Sequence, residues 1–144
     1  YHISAPPMDK VQRQRSADYR EAGKRSLDFL IDLYFENGHL DLIGQNGWHA
    51  RGGMRARFDQ QAIDAQCMVE ALLYAHRALR EPRYKLLARA ALEWFYGYNV
   101  NRTLMYNSQT GGCYDGLTPA GANPNQGAES TLAHLLARLA WERG

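Results

Sequence analysis

Apolar residues return at helical spacing in four stretches of this chain, and polar, glycine-punctuated segments separate them. Over residues 16–36, Leu27, Leu30, Ile31, Tyr34 and Phe35 fall on one helical face, with Ser16 as N-cap and Asn37-Gly38 as the stop. Asp59 can cap a second helix that runs to Leu79 with Met68, Ala71, Leu72, Ala75 and Leu79 on one side. Pro82, in the turn Arg80-Glu-Pro-Arg83, ends it. A third helix is predicted over residues 83–98, with Tyr84, Leu87, Ala88, Ala91, Leu92 and Phe95 on one face. A fourth is predicted over residues 126–142, with Ala128, Leu132, Leu135, Leu136 and Leu139 directed inward. Residues 61–98 thus read as a helix–short turn–helix unit. Residues 39–57 and 99–125 read as long loops, the first with a short strand or turn around Leu40, Leu42 and Ile43. No alternating pattern is long enough to predict a sheet. The expected class is all-α, built of antiparallel helical hairpins. Residues 1–15 are expected to form a flexible tail and residues 16–144 a single helical domain.

Composition narrows the function classes. At 144 residues the chain fits one domain with a real core. A net charge of +2 with scattered Arg and Lys gives no basic stripe, which argues against nucleic acid. No apolar run has the length of a membrane span and no signal peptide is visible, so a membrane role is not expected. The two cysteines, Cys67 in a predicted helix and Cys113 in a loop, form neither a CxxC pair nor a disulfide framework. Both are read as reduced, with a cytoplasmic location, and neither metal nor cofactor is expected. The chain opens at Tyr1 rather than Met, which suggests a trimmed chain or a piece of something larger.

Chemistry-bearing residues gather at the ends of the predicted helices. Gly47-Trp-His-Ala-Arg-Gly-Gly53 precedes Phe58-Asp-Gln-Gln61 and Asp64. Ala90-Ala-Leu-Glu-Trp-Phe-Tyr-Gly-Tyr-Asn99 follows. Thr110-Gly-Gly-Cys-Tyr-Asp-Gly116 and Asn125-Gln-Gly-Ala-Glu-Ser-Thr-Leu132 complete the set. In this order the motifs resemble the C-terminal helical region of bacterial family 4 glycosyltransferase-like proteins and other carbohydrate-active (α/α)-toroid proteins. The resemblance covers residues 27–141. It implies a partial (α/α)6-type toroid of the six-hairpin glycosidase kind, acting in carbohydrate metabolism. One departure is Ala62, where the family often has Pro, which leaves a less rigid helix start. A chain with about four helices cannot close a toroid, so it is expected to be either an isolated fragment or a chain that covers its open ends with a partner. That partner is expected to be a second copy or a glycosyltransferase-type domain.

Asp115, Glu129 and Asp64 are the candidate catalytic carboxylates, with Asp115 and Glu129 the favoured pair. Glycosidic bond cleavage needs one protonated carboxyl to serve the leaving oxygen and one ionised carboxylate to activate water or attack the sugar. The competing reading is structural: Asp-Gly is a common turn, and an acid in a first helical turn complements the dipole. For substrate binding, Trp48 offers an aromatic face to a sugar ring, Arg51 a hydroxyl- or carboxylate-binding fork, and His49 a group that titrates near neutrality. Alternatively Trp48 plugs the fold and Arg51 holds Asp59 or Asp64. The amides of Gln60, Gln61, Asn125 and Gln126 suit polyols, or tie loops together. Tyr96, Tyr98 and Tyr106 can line a sugar subsite or pack half-buried, and His76 and His134 read as surface or boundary residues. Two functions follow: a glycan-binding or glycan-processing domain with a loop cleft, and a non-catalytic interaction module associated with a glycosyltransferase.

Overall fold

The computed structural model describes residues 10–144 and divides after Asp32 into two compact units. The first is helical. Helix α1, Lys10–Tyr34, carries Leu27 and Ile31 as buried positions and a Lys24–Asp28 ion pair of 2.8 Å one turn apart. It begins upstream of the expected cap at Ser16. The part of the expected tail that precedes Lys10 lies outside the described residues.

The second unit, Leu33–Gly144, corrects the all-α expectation. Its helices α2 (Ala62–Leu79), α3 (Pro82–Glu93) and α4 (Ala128–Arg143) alternate with two small antiparallel sheets, so the fold is not an all-α toroid of hairpins. Strands β1 (Phe35–Glu36) and β2 (His39–Leu40) form a hairpin across Asn37 and Gly38, at φ 52° and 82°. Two consecutive left-handed residues are what a tight hairpin turn of this hand requires, and Asn-Gly supplies them at little steric cost. The same dipeptide that reads as a helix stop is therefore a strand-to-strand turn.

The other sheet joins distant parts of the chain. Strand β3 (Gln60–Gln61) pairs with β4 (Gly116–Thr118), which pairs with β5 (Gly121–Ala122). Gln60 lies opposite Leu117 and Gln61 opposite Gly116. This pairing withholds Gln60 and Gln61 from the helix, so α2 starts at Ala62. At the other end, Arg80 closes α2 in the left-handed conformation, its N–H on the His76 carbonyl, and Pro82 opens α3. Helix α3 stops at Glu93, short of the expected Tyr98, because buried Asn99 captures the backbone there. Its Nδ2 donates to the Trp94 carbonyl at 2.9 Å and to the Thr103 carbonyl at 2.7 Å.

Helices α2 and α4 run parallel, with α3 antiparallel to both. Gly144, at the C-terminal end of α4, lies against Leu73 and Arg77 in the second half of α2. Lys85 in the first turns of α3 donates to the Gly144 carbonyl at 3.3 Å. The core is built from Val69 and Leu72 of α2, Tyr84 and Ala88 of α3, then Trp94, Phe95 and Met105.

The inward face of α4 differs from expectation. Ser130, Ala133, His134 and Ala137 are buried, whereas Leu132, Leu135, Leu136 and Leu139 are exposed. Two polar anchors fix this rotation. Ser130 Oγ donates to Asp115 at 2.8 Å, and the His134 ring pairs through Nε2 with the Tyr96 hydroxyl at 3.0 Å. The small side chains take the core side of α4, and the leucines stay exposed, Leu136 and Leu139 beside α2. His134, expected at the surface, is 3% exposed and stacks on Tyr106 with ring centroids 4.4 Å apart.

Candidate functional site

The parallel arrangement brings the first turns of α2 and α4 to one end of the unit, beside the β3–β4–β5 sheet. Asp64 lies in the first turn of α2 and Glu129 in the first turn of α4. Asp64 is half-buried and Glu129 exposed. Burial raises the Asp64 carboxyl above the ordinary carboxylate range, and the negative charge of Glu129 raises it further. Asp64 in turn raises the Tyr34 hydroxyl, after burial, with Arg55 acting in the opposite sense. It also raises the Cys67 thiol, again after burial. The local field therefore centres on Asp64, with Glu129, Tyr34 and Cys67 around it. A pair of carboxyl groups in unlike environments is the arrangement that separates an acid from a base.

Asp115 has a different role. Its Oδ1 accepts from the Gly127 N–H at 2.7 Å and from Ser130 Oγ at 2.8 Å, and its Oδ2 accepts from Asn125 Nδ2. The Gly127 N–H holds this carboxyl below its ordinary value; burial opposes it, and the bonds from Ser130 and Asn125 add to the lowering. Gly127 is the N-cap of α4 and offers no side chain of its own, so Asp115 caps the helix from a distance. A Cβ at Gly127 would lie 2.8 Å from Asp115 Oδ1, so any side chain there would displace the capping carboxylate. Asp115 is thus fixed as an ionised acceptor, which is unsuited to donating a proton. Of the three expected carboxylates, Asp64 and Glu129 thus meet at the helix mouth, and Asp115 is bonded into the start of α4.

The expected binding residues divide in the same way. Gln60 is fully buried, and both ends of its amide are committed: Nε2 donates to Asp41 Oδ1 at 2.7 Å, and Oε1 accepts from Trp94 Nε1 at 2.8 Å. It belongs to a structural network rather than to a ligand surface. Arg55 completes that network by pairing with buried Asp41 and with the carbonyl of Leu33. Arg57 pairs with Glu36 at 2.8 Å. These two arginines, and not Arg51, anchor the first long loop; Arg51 is exposed and makes no ion pair among the described residues. Asn125 supports Asp115, and Gln126 accepts from Thr110 Oγ1 at 2.7 Å, so both amides tie the second loop to α4.

Three expected residues stay presented outward. Trp48 is 62% exposed, at φ 55°, on a turn that its backbone closes with Gly44 and Ala56. His49 is also exposed. Gln61, half-buried, caps α2 by position one turn before Asp64, and its amide lies against Gly116. The structure brings together Asp64, Glu129 and the Gln61 end of β3. It shows no bond from these groups to Trp48, His49 or Arg51. Tyr34 was absent from the expected set because in sequence it reads as a core position of the first helix. Only the helix ending at that residue, with Asp64 folded back near it, gives it a polar setting.

Both cysteines are free, and burial, followed by the charge of Asp115, pushes the Cys113 thiol up to about 12. Among the described residues no group of three or more His, Cys, Asp or Glu side chains could hold a metal ion, and no helix is long and apolar enough to cross a membrane. No protein-family model matches the chain, and no curated protein matches it significantly.

Proposed function

We propose that the second unit binds a glycan at the shared mouth of α2 and α4 and cleaves a glycosidic bond there. Asp64 is the acid and Glu129 the base. In this reading the Asp64 carboxyl transfers its proton to the leaving glycosidic oxygen as the bond to the anomeric carbon breaks. Glu129 takes a proton from the water whose oxygen forms the new bond to that carbon. Gln61 and Tyr34 supply hydroxyl-binding groups at the edge. The carrying observation is that burial and the charge of Glu129 both favour the protonated form of Asp64, while Glu129 stays in solvent. The motif resemblance to carbohydrate-active proteins supports the choice of a glycan as substrate.

The test is incubation of the purified chain with a panel of mannose- and glucose-based oligosaccharides, following sugar release and thermal shift together. Release by the wild type that is lost in both Asp64→Asn and Glu129→Gln is expected. Equal release by these variants overturns the assignment. A second reading, a non-catalytic module that docks on a glycosyltransferase-type domain or on its own copy, is supported by the exposed leucines of α4. Thermal stabilisation by a glycan without product would favour a binding role, and silence in both readouts would favour docking alone.

A further inference from the structure

Two of the exposed leucines of α4, Leu136 and Leu139, line one side of a groove whose other side is α2, with Leu73 and Tyr74 facing them. Along α4 the stripe reads Glu129, Leu132, Leu136, Leu139, Arg143, at three- and four-residue spacing. Glu129 and Arg143 each lie about two turns from Leu136, on opposite sides of it. The groove repeats this charge order, with Glu70 nearer the start of α2 and Arg77 nearer its end.

We infer that this face is the contact between two copies of the chain, with α4 packed antiparallel on α4 of the second copy about a two-fold axis at Leu136. A two-fold interface is self-complementary: a residue on the axis meets itself, and elsewhere residue i of one copy meets j of the other while j meets i. Antiparallel pairing about Leu136 puts Glu129 of each copy opposite Arg143 of the other, and Leu136 against Leu136 at the centre. Parallel pairing would set Glu129 on Glu129 and Arg143 on Arg143, which is repulsive at both ends. The charge order therefore selects one orientation and one register, which is the usual part played by rim charges, while the leucines supply the buried centre. An amphipathic helix with this much leucine in solvent has the pattern of an interface surface. The inference rests on the leucine stripe and its charge order and not on the glycan reading; the two compete for Glu129, which as the partner of Arg143 in a dimer is not free to act as a base, so glycan cleavage would belong to the monomer.

The test is sedimentation velocity on the full chain from low micromolar to submillimolar concentration. The wild type is expected to dimerise in that range. Leu136→Glu replaces an already exposed side chain, so the fold should survive, as an unchanged circular dichroism spectrum would verify. It is expected to weaken the dimer by at least about thirtyfold. Glu129→Arg and Arg143→Glu, made singly, are each expected to weaken it about three- to tenfold, and the double charge swap should restore the wild-type constant. A wild-type monomer throughout the range, a dimer indifferent to Leu136→Glu, or a double swap no better than its parents would each overturn the inference.

Discussion

Replacing Asp115 separates its structural role from the catalytic one that its motif suggests. Asp115→Ala removes the acceptor of the Gly127 N–H, the first backbone donor of α4, at a cost of about 1 kcal/mol, as for other lost caps. It also strips the acceptor from Ser130 Oγ, which is buried and would go unsatisfied, for about a further 1 kcal/mol. The Asn125 contribution is small, because that side chain is exposed and water can replace its partner. The total, about 2–3 kcal/mol, corresponds in a chain of this length to a fall in Tm of roughly 6–10 °C. Differential scanning calorimetry at neutral pH gives the comparison. The pH dependence supplies a second check with a definite sign. The native carboxyl is held below its unfolded value, so its stabilisation is fully present above about pH 4 and is lost as the pH falls through the native value. The gap between wild type and Asp115→Ala should therefore close on acidification. A Tm change below about 2 °C at neutral pH, or a gap that widens in acid, would refute the capping role.

Asp64→Asn should act in the opposite direction on stability. Its folded value is raised, so ionisation of Asp64 works against the native state as the pH climbs from the unfolded carboxyl value through the folded one. The amide removes that penalty: Tm should rise at neutral pH and be indifferent in strong acid, while any cleavage activity falls by at least about a hundredfold. Asp41→Ala should be among the most damaging single changes, about 3–5 kcal/mol by urea denaturation, because it leaves Arg55 and Gln60 facing an empty buried site. Gly127→Ala should reproduce part of the Asp115 defect by pushing the carboxylate away from the cap, an effect readable as a lowered Tm that Asp115→Ala in the same chain does not deepen further. His134 is held neutral, its value lowered by burial and then by Arg138, so stability should decline as the pH falls below about 6.5. That decline should flatten in His134→Phe, as pH-resolved thermal melts would detect.

Local rules fixed much of this chain. The periodicity of residues 62–79 and the Arg80–Pro82 punctuation located the α2–α3 hairpin within a few residues, because helix period and proline sterics act over one or two turns. The same local chemistry marked residues 110–132 as bearing functional groups and gave Asp115 two readings, a structural turn residue or a catalytic carboxylate. Its commitment, cap or acid, depended on Gly127 and Ser130 arriving from twelve and fifteen residues away. Apart from the segment at Leu40, where a short strand or turn was expected and β2 lies at His39–Leu40, the strands were illegible: two- and three-residue strands carry no alternation, and β3 is a strand only because Gln60 finds a distant partner in Leu117. The leucines of α4 show the limit most plainly. Hydrophobic period identifies an apolar face but not which face the core takes. Here Ser130 and His134, each bonded to a residue remote in the chain, turned the small side chains inward and left the leucines outside. The sequence determined that there would be helices with capped, polar ends; only the packing of α2 beside α4 in parallel decided that Asp64 and Glu129 share one of those ends.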